Sequence, residues 1–355
     1  MVPEGWADAT LGDFVKLKRG HDLPAHSRAP GDIEVIGGGG PNGFHNEAKA
    51  PAPGVVIGRS GSGIGNAWWS HKPFWPLNTG MYVTDFLGND PRFCFLWLDW
   101  IDFTSHNSGG AQPSLNRNFI YPIPLPIPPL PEQKKIAEIL STWDKAIETA
   151  EALLATARTQ KRALMQTLLT GKRRFPEFEG QDWREVRLGE VCDPKQWTTI
   201  SNKNMTEEGY PVFGANGHIG WFDEFNHDEP TIAVGCRGVC GSVHLTPPKS
   251  YITGNSMALD DLDTGQADIG FLYQYLTHFG FRKIVSGSAQ PQITGKAIKA
   301  YQLRLPPIAE QRRISEVFEL AEREISHQHS QAEKLRTEKK ALMQQLLTGK
   351  RRVQA

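Results

Sequence analysis

Pro128-Pro129-Leu130-Pro131-Glu132-Gln133-Lys134-Lys135-Ile136 returns later in the same chain as Pro306-Pro307-Ile308-Ala309-Glu310-Gln311-Arg312-Arg313-Ile314. A stretch this specific, met twice, signals an internal duplication, and the extent of the repeat decides the fold. Downstream, Ala163-Leu164-Met165-Gln166 and Leu168-Leu169-Thr170-Gly171-Lys172-Arg173-Arg174 recur between Ala341 and Arg352. Upstream, Trp6 with Leu11-Gly12-Asp13 matches Trp183 with Leu188-Gly189-Glu190. Val35-Ile36-Gly37 matches Val212-Phe213-Gly214, Gly58 and Gly61 match Gly235 and Gly238, and Ala111-Gln112-Pro113 matches Ala289-Gln290-Pro291. An offset of 176 to 178 residues aligns nearly all of the 355-residue chain with itself. Two copies are too few for a solenoid, so one large module stands in tandem.

Each module has a globular part and a helical part. The globular parts are rich in Gly, Pro and aromatics, with short apolar runs such as Val55-Val56-Ile57 and Thr231-Ile232-Ala233-Val234. Such runs between glycine signals read as short strands, and Phe93 to Trp100 and Gly270 to His278 read as helical turns. Pro122, Pro124, Pro126, Pro128 and Pro129 then mark a border, because proline continues neither a helix nor a central strand.

Beyond the border an apolar series runs 136, 140, 143, 147, 150, 154, 157, 164 and 168, and its counterpart runs 314, 318, 321, 325, 332, 335, 342 and 346. Spacings that alternate between three and four define a seam that packs on another helix. The two registers coincide, so the helices pair best with each other, and a pseudo-two-fold axis makes the pair antiparallel. Lys161, Lys339 and Gln328 fall on the seam. Either their stems lie along apolar surface with the polar ends reaching water, or they fix the register. Gly171 and Gly349 are the expected stops.

The fold class that follows is α+β: two β-rich domains in tandem, each followed by a long helix, the helices forming an antiparallel coiled coil. The expected boundaries are 1–130 and 175–307 for the globular domains, with helices in 131–174 and 308–355. A helix from Glu132 to Leu169 would be roughly 57 Å long at ~1.5 Å per residue, or about 17 base pairs at ~3.4 Å per step.

Formal net charge is +0, which at first argues against a nucleic-acid partner. By segment, 1–130 carries 9 Lys/Arg against 11 Asp/Glu and 175–307 carries 11 against 16, whereas 131–174 and 308–355 are basic. Any DNA contact must therefore use local basic patches. No apolar run approaches ~18 residues and the start lacks a signal-peptide pattern, which with only four cysteines points to a cytoplasmic, reduced protein with no membrane partner.

The Pro-Pro…Glu-Gln…Ile openings, the Leu-Leu-Thr-Gly-Lys-Arg-Arg closings and the Trp…Leu-Gly-Asp/Glu starts resemble type I restriction-modification specificity subunits, in order, twice, over essentially the whole chain. That resemblance implies a non-catalytic subunit with two target-recognition domains, binding double-stranded DNA at a bipartite, asymmetric site. It implies two adenine methyltransferase subunits as partners, and two motor-nuclease subunits in the restricting complex. The cofactors it implies, S-adenosylmethionine and ATP with Mg, belong to those partners, with none bound by this chain.

Direct readout needs Arg, Lys, Asn or Gln at base edges, with phosphate contacts for register. The candidates in the first domain are Lys16, Lys18 and Arg19, then Arg59 and Ser60 in Gly58-Arg59-Ser60-Gly61-Ser62-Gly63, then Gln112, Asn116 and Arg117. Missing side chains in that glycine-rich loop would let its backbone approach a phosphate. The related set in the second domain is Lys195, Arg237, Gln290, Gln292 and Lys296. For partner docking, the helix faces outside the seam offer Glu132, Glu138, Glu148, Glu310, Glu316 and Glu324; a merely solvated charged face is the alternative.

Catalytic motifs dissolve on inspection. Gly38-x-Gly40-x-x-Gly43 has no helix pattern after it and Pro41 inside it, so it is a poor dinucleotide fingerprint. Cys236, Cys240 and His244 lack the four-ligand pattern of a zinc site, and Arg59 and Gly63 stand at the aligned positions of the two cysteines. No phosphate-binding loop and no Asn/Asp-Pro-Pro-Tyr/Phe run is present. A hydrolase whose active residues meet only in space and a protein-binding scaffold remain the rival classes.

Overall fold

The computed structural model describes residues 2–106, 113–287 and 291–354. The chain forms two compact units, Met1–Glu151 with Ser330–Ala355, and Ala152–His329.

In the first unit, strands Lys16–Arg19, Gly80–Asp85, Gly54–Gly58 and Ala67–Ser70 form an antiparallel sheet in that order. The central run Gly54–Gly58 is buried throughout, as a continuous apolar run predicts. A second sheet orders Gly40–His45, Ile33–Gly37 and Trp75–Pro76, the last pair parallel. Ala7–Thr10 pairs with Pro124–Ile127 in a separate two-stranded ribbon. Pro124 and Pro126 are tolerated there because a ribbon leaves each strand an open edge. The unmatched Gly38–Gly43 segment is thus a hairpin, with Gly40 and Gly43 at positive φ.

Helix Pro91–Trp100 starts at Asp90, whose carboxylate accepts from the Phe93 amide at 2.9 Å. It buries Phe93, Leu96 and Trp97 against Leu11, Phe14, Val55 and Ile57. That core also takes Ile136 and Leu140 from the start of the first long helix, and Leu346 and Leu347 from the end of the second.

The second unit repeats the plan. Its four strands are Asp193–Lys195, Ser256–Asp260, Ile232–Gly235 and Val243–Leu245. Its smaller sheet is Gly217–Phe222, Tyr210–Gly214 and Tyr251–Ile252, and its ribbon joins Arg184–Arg187 to Gln302–Leu305. Helix Ile269–Phe279 is capped by Asp268 at 2.9 Å from the Phe271 amide. Its core includes Leu168 and Leu169 together with Ile314 and Phe318.

The long helices span Leu130–Leu168 and Ile308–Leu347. Cross-helix pairs fix their sense. In the first unit Asp144 pairs with Lys339 at 2.6 Å and Glu151 with Arg336, so one sequence ascends as the other descends. In the second unit Lys161 pairs with Glu322. The coiled coil is antiparallel, and every seam position named above is buried or partly buried.

The seam lysines are explained by those pairs. Lys161 and Lys339 are equivalent in the repeat, as are Asp144 and Glu322, so the same ion pair recurs once in each unit. Both lysine side chains are largely covered, at 17% and 15% exposure. A charge held there tolerates only a register that supplies its partner, which is the register-fixing use of a polar seam residue. Gln328 instead bonds Glu324 on its own helix at 2.8 Å and fixes nothing across the seam.

The Glu-Gln pairs that open the helices correct one expectation. Glu132 and Glu310 are not on an outer face; they are 4% and 0% exposed. Glu132 receives Arg352 at 2.8 and 2.9 Å and the Trp6 indole at 2.9 Å. Glu310 receives Arg174 at 2.9 and 2.6 Å. Their neighbours Gln133 and Gln311 are buried too: each accepts from the amide of the helix-capping Asp90 or Asp268 at 2.9 Å. Each then donates to a border carbonyl, of Pro128 or Pro306, at 2.9 Å. Buried polar side chains must be satisfied, and here they tie the globular domain to its helix.

Candidate nucleic-acid interface

In both domains the glycine-rich loop meets the segment that precedes the border. Ser60 pairs with Ser114, and the Leu115 amide donates to the Arg59 carbonyl at 2.8 Å. Arg237 pairs with Gln292, and the Ile293 amide donates to the Cys236 carbonyl at 3.1 Å. A third element completes each junction. The amides of Arg59 and Ser60 both donate to the Thr79 carbonyl, at 2.8 and 3.1 Å; those of Cys236 and Arg237 both donate to Asn255, at 2.9 and 3.2 Å. Sequence reasoning passed over Thr79 and Asn255, although both directly precede a strand of the repeat.

The loop glycines divide into two kinds. Gly58 and Gly63 carry no side chain because a Cβ on either would strike backbone, of Gly63 and of Gly38 respectively. They serve packing inside the domain and not approach to a ligand, contrary to expectation. Gly61 and Gly238, at positive φ, stand at the tips with open space around them. Those are the places where an outside backbone can come close.

The candidate side chains fall unevenly around the junctions. Arg19 ends its strand opposite Met81, two residues from Thr79. Lys18 is exposed on the same strand, whereas Lys16 is drawn back to the Gly12 carbonyl at 2.6 Å and over the Tyr121 ring. Arg117 donates to the Leu17 carbonyl at 3.1 Å, and Asn116 caps a short helix by accepting from the Asn118 amide at 3.0 Å. In the second domain Arg237 and Gln292 are brought together, and Lys296 is exposed on the helix Gly295–Lys299.

Lys195 sits apart from that group. Its ammonium is held by Asp261 at 2.8 Å and Asp193 at 3.5 Å, which raise its pKa and offset its charge. Gln112 and Gln290 lie outside the described residues.

Cys236 accepts from the Gln196 amide group at 3.1 Å and Cys240 donates to the Pro291 carbonyl at 2.9 Å. Both thiols are pushed up by burial, so they behave as neutral packing groups. Among the described residues no group of three or more His, Cys, Asp or Glu could hold a metal ion.

On the long helices Glu138 and Glu316 are exposed and bound to Lys135 at 2.9 Å and Arg313 at 2.8 Å, equivalent pairs in the repeat. Glu148 and Glu324 are exposed as well.

The duplication has a counterpart among known proteins. The family described as the type I restriction modification DNA specificity domain matches residues 3–157 and again 180–334. The chain belongs to that family. The type I restriction enzyme MjaVIII specificity subunit of Methanocaldococcus jannaschii is 25% identical over 288 residues, covering 70% of this chain and 67% of that protein. Another relative from that organism is matched over 62% of its own length.

Among solved structures, the S subunit of a type I restriction-modification system from M. genitalium has the same fold. Its TM-score is 0.73 at 19% identity, with 98% of this chain and 96% of that one covered. A chain from work on complex assembly and conformational transition of the type I R-M system gives 0.58 at 21% identity, covering 98% of each. The specificity-domain repeat therefore accounts for both halves of the chain, and no helix among the described residues is long and apolar enough to cross a membrane.

Proposed function

We propose that this chain is a DNA-reading, non-catalytic subunit: its two globular domains each read one half of a split, asymmetric site on double-stranded DNA. In this reading 1–130 and 175–307 are the target-recognition domains, and 131–174 and 308–355 are the helices that join them. Two adenine methyltransferase subunits dock on the helices, with motor-nuclease subunits added where restriction occurs. S-adenosylmethionine and ATP with Mg belong to those partners, and the assembly works in the cytoplasm.

The observation that carries this reading is the duplicated junction, in which Ser60 meets Ser114 and Arg237 meets Gln292 in the same way. The backbone frame is kept while the side chains it presents have diverged, as two readers of different half-sites require. Family membership supplies the class of partner. Exposed Glu138, Glu148, Glu316 and Glu324 remain the docking candidates.

The test is to co-express the chain with a cognate methyltransferase, map methylated adenines across the host DNA, and repeat a gel shift on the mapped site with competitor. A two-part methylated motif and specific retention are expected. Methylation without a motif, or no specific retention, overturns the reading.

A further inference from the structure

The second globular domain holds two cavities of similar size and opposite chemistry. One, of about 640 Å³, is lined by Asp228, Glu229, Asp260 and Asp261 beside the paired Lys195. The other, of about 580 Å³, is walled by Tyr275, Phe279 and Tyr301 with Arg282 and Lys283, and has no acidic residue in its lining. Its phenols are already engaged: Tyr301 donates to the Gly280 carbonyl at 2.9 Å, and Tyr275 accepts from the Arg304 amide at 3.2 Å. What it turns toward solvent includes ring surface, with Phe279 44% exposed, the amide of Gln302 and two cations.

Those cations stand in an acidic segment. The 175–307 segment carries 11 Lys/Arg against 16 Asp/Glu. Yet Arg282 and Lys283 are exposed and without a hydrogen-bonded or ionic partner among the described residues. They also continue the junction described above. The turn Arg282–Ile284 leads to Ser286, which exchanges backbone hydrogen bonds with Gln292 at 2.9 and 2.8 Å, and Gln292 pairs with Arg237.

We infer that Arg282 and Lys283 bind the DNA phosphodiester backbone beside the half-site read by the second domain. A one-signed recess with apolar walls focuses its field on an approaching anion. The guanidinium can grip two phosphate oxygens while the ammonium acts as a point charge. The equivalent turn of the first domain, Thr104–His106, has Thr104 and Ser105 at these places, so the clamp belongs to one domain only. The inference rests on the DNA-reading proposal, which it sharpens.

The test uses the full chain and a mixed-sequence DNA duplex, with binding followed by fluorescence anisotropy over a range of salt. Loss of two phosphate contacts should lower the slope of log affinity against log salt by about 2 in the Arg282→Ala/Lys283→Ala double variant. The same proportional loss is expected on a specific duplex, because phosphate contacts carry no sequence information. Arg282→Gln/Lys283→Gln, which keeps most of each stem, should show the same drop and guards against a misfolded alanine variant. An unchanged slope in a folded variant overturns the clamp and leaves the split-site reading standing. Conversely, a chain that shows the slope change yet retains no specific site keeps the clamp and loses the reading.

Discussion

Arg352 closes a bidentate ion pair on Glu132 across 220 residues of sequence, with Nε to Oε1 at 2.8 Å and Nη2 to Oε2 at 2.9 Å. Arg174 makes the equivalent pair on Glu310, where both side chains are better covered, 16% and 1% against 43% and 5%. Losing the arginine strands a buried carboxylate, at roughly 3–5 kcal/mol when the pair is fully buried. Arg174→Ala should approach that cost. Arg352→Ala should cost less, because water already screens its guanidinium. Chemical denaturation of both variants checks the order, and equal losses would contradict it.

The same carboxylate predicts a pH dependence. Burial alone pushes Glu132 up, but hydrogen bonds from Arg352 and Trp6 outweigh it and hold the group below the usual range. A folded pKa below the unfolded ~4.3 gives stability that is present above that value and is lost as pH falls through the folded one. Glu132→Gln should therefore be less stable than the parent at neutral pH. The gap between the two should narrow on acidification below about pH 5. A gap that stays constant down to the acid transition would mean that the ionised form is not what stabilises.

Across the seam, Lys161 and Glu322 can be exchanged as a pair. Each single reversal, Lys161→Glu or Glu322→Lys, places like charges together. The double exchange restores attraction, and a double-mutant cycle on thermal unfolding should return a coupling of about 0.5–1 kcal/mol. Zero coupling would reduce the pair to a surface contact without say in the register.

Reader exchange tests the split site. Replacing 175–307 by the same segment of a relative should alter one half of the methylated motif and leave the other intact. A change in both halves sinks the modular reading.

Single contacts should show in affinity. Arg237→Ala removes the cation from the position whose backbone pairs with Gln292 and should weaken specific binding by ~1–3 kcal/mol if it reads a base edge. Arg59→Ala should do the same in the first domain. Loss of equal size on every sequence would assign either residue to phosphate instead.

Much of the architecture was legible because it repeats or is periodic. The apolar series from Ile136 and Ile314 needs only its own spacing to be read as a seam. The Glu-Gln pairs were misplaced for the opposite reason. Charged residues at a helix start are usually solvated, and the partners that bury Glu132, namely Trp6 and Arg352, come from remote segments. Arg282 and Lys283 escaped notice because the repeat has no basic counterpart there. Their exposure beside aromatic walls arises only when the helix Ile269–Phe279 and Tyr301, just before the strand Gln302–Leu305, approach. Asn116 and Lys16 looked available for DNA because local backbone acceptors and donors cannot be counted from residue type.

Neither long helix is the property of one compact unit, and this has a consequence for synthesis. The unit that holds residues 152–329 is continuous in sequence, whereas the other draws on both 1–151 and 330–355. A chain leaving the ribosome can thus complete its internal unit first. The domain made first waits, with the apolar patch that Leu346 and Leu347 will cover still open, until the last segment emerges. That interval is when the nascent chain is most exposed to misassembly or to a chaperone's grasp.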